Sequence, residues 1–322
     1  MFYISIIIKY IMKIINDENG YITSILLLII LIPVLLLLVI TIDEYSDNVN
    51  NTVETLESNQ IISISEDFEN EIMLITKDSL HNITYDIVTS RRSITNRDTI
   101  KKYIQHKIDD RKISYNNTDF LIECKINDLK PSNNPFKVEI DYTFEVTTKN
   151  NKIKNTKNEQ KLVEITDKKF PVYDPLPTLK TGATFNVNNI NFGKKLSDYI
   201  NLDNADVYLN TIQTIIIREC PLNDYTQHGN SNETIFSCLN NHYYHNSHDG
   251  MCIFCRLENK TDCNHYGFET FILPTKLVDE APVSIDHVLL NDRNNQYSGN
   301  LITIENDTFI YLDNGHKSKY GL

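Results

Sequence analysis

Tryptophan is absent from this 322-residue chain, and glycine and proline number only nine each. No G-x-G-x-x-G or G-x-x-x-x-G-K-[ST] run occurs, which excludes the glycine loops that cradle nucleotide phosphates. No nucleophile elbow surrounds Ser284 and no other catalytic signature stands out, so the reading is of a protein that is not an enzyme. Alanine is nearly missing, the first being Ala183, and so the A-x-A site of a cleaved secretory signal is missing too. No lysine or arginine lies between Lys13 and Lys77. The net charge is −12, and residues 1 to 42 contribute nothing to it, Lys9 and Lys13 cancelling Asp17 and Glu18. Nucleic acid and anionic lipid headgroups are poor partners for so acidic a surface.

What the chain does have is one long hydrophobic run. Residues 21 to 42, YITSILLLIILIPVLLLLVITI, carry no ionisable side chain apart from the leading tyrosine. That is the length of a helix crossing a bilayer core, and a polar stripe that could face water is missing. Pro33 costs one helical hydrogen bond, which lipid-embedded helices tolerate. Lys9 and Lys13 precede the run and acidic residues from Asp43 follow it. The positive-inside rule then places the N-terminus in the cytoplasm and the rest outside a cell membrane, with the lipid bilayer as the first partner.

The charged leader ends at Gly20, directly before the apolar run. Met12 opens its compact part, MKIINDENG, and is a candidate start. A short charged leader closed by glycine and followed by a long apolar helix resembles the N-terminus of type IV pilin-like proteins and related archaeal surface proteins. The resemblance is confined to this N-terminal region. It implies peptidase processing between Gly20 and Tyr21, a helix serving as anchor or filament core, and association with further copies or other envelope proteins. Ile25 stands where bacterial members carry glutamate.

Beyond the run the apolar period continues through Tyr45, Val49, Val53 and Leu56, then Ile64, Phe68, Ile72, Ile75, Ile83 and Ile87, with a break expected near Ser58 and Asn59. Ile100, Ile104 and Ile108 mark a second, shorter helix. Strands follow. Phe136, Val138, Ile140, Tyr142, Phe144 and Val146 share one face, while Lys137, Glu139, Asp141, Thr143 and Glu145 share the other. Such alternation means one face buried and one wet, as in an antiparallel sheet. Phe120 to Ile126 and residues 161 to 166 supply its neighbours, the latter after a turn at residues 149 to 152. The proline cluster FPVYDPLP marks a boundary near Pro175. Later elements are a helix around residues 193 to 200, a helix from Ser231 to about His242, and strands at 269–273, 283–290 and 301–312. Residues 207 to 220 read equally as helix or strand.

The expected fold is therefore α+β. A cytoplasmic leader (1–20) and a transmembrane helix (21–42) lead into a long helix packed on a small antiparallel sheet (43–175). A Cys/His-containing, mainly-β domain (176–322) completes the chain.

Six cysteines are present, Cys124, Cys220, Cys238, Cys252, Cys255 and Cys263, five of them interleaved with His228, His242, His245, His248 and His265. In an exported domain an even number of cysteines reads as disulfides, and no separate cofactor is then implied. The alternative is zinc, with Cys252 and Cys255 as one ligand pair and Cys263, His265, Cys238 or His242 completing a tetrahedron. Redox chemistry by the C-x-x-C is a third reading, which lacks the strand-then-helix context such thiols use. Asp286 and His287, placed on a strand, point to opposite faces and cannot share a site. Sequons at Asn50, Asn82, Asn116, Asn232, Asn259 and Asn306 are possible glycan acceptors, in a number the Asn-rich composition alone explains. The function read from the sequence is that of a membrane-anchored, extracellular structural or adhesive protein. The alternative is a ligand- or metal-binding ectodomain using residues 220 to 265.

Overall fold

The computed structural model describes residues 21–116, 119–185, 189–190, 192, 205–208, 211–212, 215–222, 227–228, 232–248, 250–274, 282–289, 300–303 and 309–312. The leader with Gly20, the helix expected at 193–200 and residues 304–308 of the strand expected at 301–312 lie outside these residues. The chain forms two compact units, Met1–Ser63 and Ile64–Leu322.

Helix α1 (Tyr21–Ser90) runs through Pro33 and through Ser58 and Asn59 without the expected break. Serine and asparagine cost a helix only a few tenths of a kcal/mol each, too little to stop one flanked by good formers. In the first unit its side chains from Leu28 to Ile42 are largely exposed, and the helix is long and apolar enough to cross a membrane.

In the second unit α1 turns amphipathic. Phe68, Ile72, Leu80, Ile87 and Val88 are buried, together with Ser65, Thr76, Ser79 and Thr84. Two of the small hydroxyl residues bond back along the helix: Thr76 Oγ1 donates to the Ile72 carbonyl and Thr84 Oγ1 to that of Leu80, both at 2.8 Å. The stripe covers a three-stranded antiparallel sheet of β1 (Phe120–Pro131), β2 (Lys137–Thr148) and β3 (Lys154–Glu164), in that order. Val138, Ile140, Tyr142, Phe144 and Val146 of β2 are fully buried on the expected face. Phe144 stacks on Phe68 at 6.0 Å between ring centres.

The outer edge of β1 is occupied by helix α2 (Arg97–Asn116), whose Ile100, Ile104 and Ile108 are buried. Its polar side chains bond to the strand in sequence. Asn116 accepts from Ile122 N, and Gln105 donates to the Cys124 carbonyl and accepts from Ile126 N. Lys101 and Arg97 donate to the carbonyls of Asn127 and Leu129.

The proline cluster becomes a short helix, α3 (Pro175–Thr181), capped by Asp174 Oδ1 accepting from Leu176 N, and closed by Gly182 in the left-handed region (φ 77°). Beyond it come β4 (Asn189–Ile190), a 3-10 turn (Ala205–Tyr208), β5 (Thr211–Ile212), α4 (Asn232–Asn240), β6 (His245–Ser247) and α5 (Ile253–Leu257). The remainder is β7 (Gly267–Glu269), β8 (Phe271–Ile272), β9 (Val283–Ser284), α6 (Ile285–Leu289), β10 (Asn300–Thr303) and β11 (Phe309–Leu312). The mainly-β expectation is thus only partly met, since short strand pairs alternate with short helices among the described residues. The strand expected over 283–290 is β9 followed by α6, a short apolar run being ambiguous in period.

Candidate metal centres

No disulfide joins any two of the six cysteines, in place of the pairings expected from their even number. Five of the thiols gather instead with imidazoles into two sets: Cys252, Cys255, Cys263 and His265; and Cys220, His228, Cys238 and His245. Within each set the four donor atoms lie within 4.8 Å of one another, a grouping that could hold a metal ion.

The first set is built around α5. Cys252 is the residue before its first turn and Cys255 lies inside it, so both sulfurs reach the same side. Cys263 and His265 arrive on the segment leading into β7. Two glycines permit the approach: a Cβ on Gly250 would collide with the Phe268 backbone, and one on Gly267 with that of Gly250 and Met251. His265 Nδ1 then lies 3.5 Å from Cys252 Sγ, 3.6 Å from Cys255 Sγ and 3.5 Å from Cys263 Sγ. Ligands at about 2.3 Å (sulfur) and 2.0 Å (nitrogen) from one tetrahedral zinc are about 3.5 Å apart, so the spacing fits. Cys252 N and His265 N donate to Cys263 Sγ at 3.5 and 3.4 Å, which supports a thiolate there. The hydrogen bonds of Cys252 and Cys255 hold the Cys263 thiol well below its usual range, while those to Cys252 and Cys263 push Cys255 up.

The second set gathers four separate pieces of chain. Cys220 ends a segment whose Glu219 bridges to Tyr244, His228 sits in a helical turn, Cys238 is on α4 and His245 opens β6. The sulfurs of Cys220 and Cys238 each lie 3.3 Å from His228 Nε2 and 3.3 Å from one another. That separation is far beyond a bonded S–S of about 2.05 Å. It is somewhat shorter than the roughly 3.8 Å of two thiolates on one zinc. Their shared hydrogen bond lowers the Cys220 thiol, burial opposing it, and pushes the Cys238 thiol up.

The pairing of β6 with β7, which sets His245 opposite Glu269, ties the two sets into one fold. Beside them Arg256 is fully buried. It donates to Asp174 Oδ2 at 2.7 Å, to Asp286 Oδ1 at 2.6 Å and to the Met251 carbonyl at 3.0 Å. Tyr244 Oη donates to Asp174 Oδ2 at 3.0 Å, and Asp286 Oδ2 accepts from Met251 N at 3.0 Å. Burial pushes the Asp286 carboxyl up to about 7, with Arg256 pulling the other way. This guanidinium thus bonds Met251, the residue before Cys252, and reaches Tyr244, the residue before His245, through the shared carboxylate of Asp174.

Of the residues offered as alternatives to complete a site with Cys252 and Cys255, the structure brings Cys263 and His265 to them, places Cys238 in the other set, and holds His242 in a left-handed turn (φ 51°) outside both sets. Cys124 stands apart on β1, buried, with its thiol pushed up to about 12 by burial. Asp286 is on a helix rather than a strand, which is what lets it turn inward to Arg256. Nothing in the local sequence announced Arg256; His228 was among the histidines interleaved with the cysteines but in no expected ligand set, and the proline cluster read as a boundary forms a short helix. No protein-family model, curated protein or solved structure matches the chain.

Proposed function

We propose that this chain is a single-pass, membrane-anchored structural protein whose Ile64–Leu322 unit is stapled by zinc at Cys252, Cys255, Cys263 and His265. The observation that carries the reading is the His265 nitrogen standing 3.5 to 3.6 Å from three sulfurs. Three soft thiolates and one imidazole suit zinc, and four protein ligands leave no open position for substrate, as in structural rather than catalytic sites. Zinc takes the place of the disulfides expected for a segment whose regular elements are short. The anchor is the apolar part of α1, with the N-terminus cytoplasmic by the positive-inside rule.

The test is on the full chain purified in detergent. Cys263→Ser lowers bound zinc by one ion per chain relative to the wild type; an unchanged zinc content overturns the staple. Alkaline carbonate leaves the protein in the membrane pellet, and release into the supernatant overturns the anchor. The pilin-like resemblance adds a finer expectation, that mature protein begins at Tyr21. N-terminal mapping that recovers Asn19 and Gly20 joined to Tyr21 removes it.

A further inference from the structure

We propose that Cys220, His228, Cys238 and His245 form a second metal site, which holds a divalent ion of its own, zinc by its donor chemistry, so that each chain carries two. The site is independent of the zinc staple above, sharing none of its ligands, and nothing in the spacing C-x7-H-x9-C-x6-H matches a standard finger.

All four side chains are buried. Two thiols brought to 3.3 Å in an interior, with no disulfide joining them, are poorly solvated and mutually repulsive once both are ionised. A divalent cation resolves both problems, because two thiolates and two neutral imidazoles balance its charge. The donors also come from four separate stretches of chain, of which Cys220 is tied to the His245 strand by its backbone N–H donating to the Tyr244 carbonyl at 3.0 Å. An ion held by all four would join these stretches through side chains as well. It also has a way in: Cys220 and His245 line a cavity of about 220 Å³ together with Asn134, Glu219 and Asn246.

The experiment counts ions on the full-length protein in detergent by inorganic mass spectrometry, with cobalt substitution as a second readout. Wild type is expected to carry two zinc ions per chain, and Cys238→Ser and Cys263→Ser one each. The pattern of one ion in wild type, lost in Cys263→Ser and kept in Cys238→Ser, overturns this site and leaves the first standing. Loss in Cys238→Ser with no change in Cys263→Ser supports this site and overturns the first. Should Cys238→Ser unfold and lose everything, His228→Cys decides. It swaps a nitrogen donor for sulfur, so the sulfur-to-cobalt charge-transfer absorption rises from that of five thiolates to that of six. An unchanged absorption with the ion count retained means His228 is no ligand and overturns the proposal.

Discussion

The sheet and the Cys/His region belong to one compact unit but are held by different forces. In β1 to β3 the order comes from area removed from water: a continuous apolar face on β2 is covered by α1. From Cys220 to Glu269 the described strands are three residues long, and two thiol–imidazole sets and one buried guanidinium stand among the buried side chains of Ile235, Leu239, Met251, Phe254 and Phe268. A surface of many weak contacts degrades gradually, whereas a handful of strong ones fails at once. The two regions should therefore part company under perturbation.

Chelation is the largest such test. A structural zinc is worth on the order of 10 kcal/mol of folding free energy. Removing metal at neutral pH is expected to abolish amide protection over residues 232–272 while that of β2 persists, as read by hydrogen exchange. Equal loss in both regions would mean that the sheet, too, depends on metal. Next comes Arg256→Met, which strands Asp174 and Asp286 in the interior and should cost about 3–5 kcal/mol, read as a lower urea midpoint. Phe144→Ala should cost a comparable 3–5 kcal/mol through its cavity, but with the zinc content of the folded protein unchanged; lost zinc would show that the regions are not separable. The smallest effect is alkaline. The Cys124 thiol is raised to about 12 in the folded chain from an ordinary value of 9.0, so its contribution is intact below pH 9 and declines as pH climbs towards 12. At pH 10 the loss is about 1.4 kcal/mol, one pH unit past the unfolded value, and Cys124→Val should flatten that slope in urea melts.

The same contrast governs how much could be read in advance. Alternation from Phe136 to Val146 specified a strand, a face and a partner cover, because period-two burial leaves a direct trace in residue type. The isoleucines of α2 did likewise for a helix. Ligand geometry leaves a weaker trace. Cys252 and Cys255 are three apart on one helical turn and so were recognisable as a pair, but His228 and Cys238 meet Cys220 only through tertiary folding. Cysteine number alone favoured disulfides; the gathering of the thiols with imidazoles depends on distances no spacing rule supplies. Arg256 was invisible for a related reason, since burial of a charge is decided by partners 82 and 30 residues away.

The side chains with which α2 lines the rim of β1 have a consequence for assembly. Asn116, Gln105, Lys101 and Arg97 together behave as a surrogate strand, occupying amides and carbonyls that an incoming chain would need. Extending the sheet from that selvage would require peeling a whole helix away, and so copies of this protein that meet one another should do so by other surfaces.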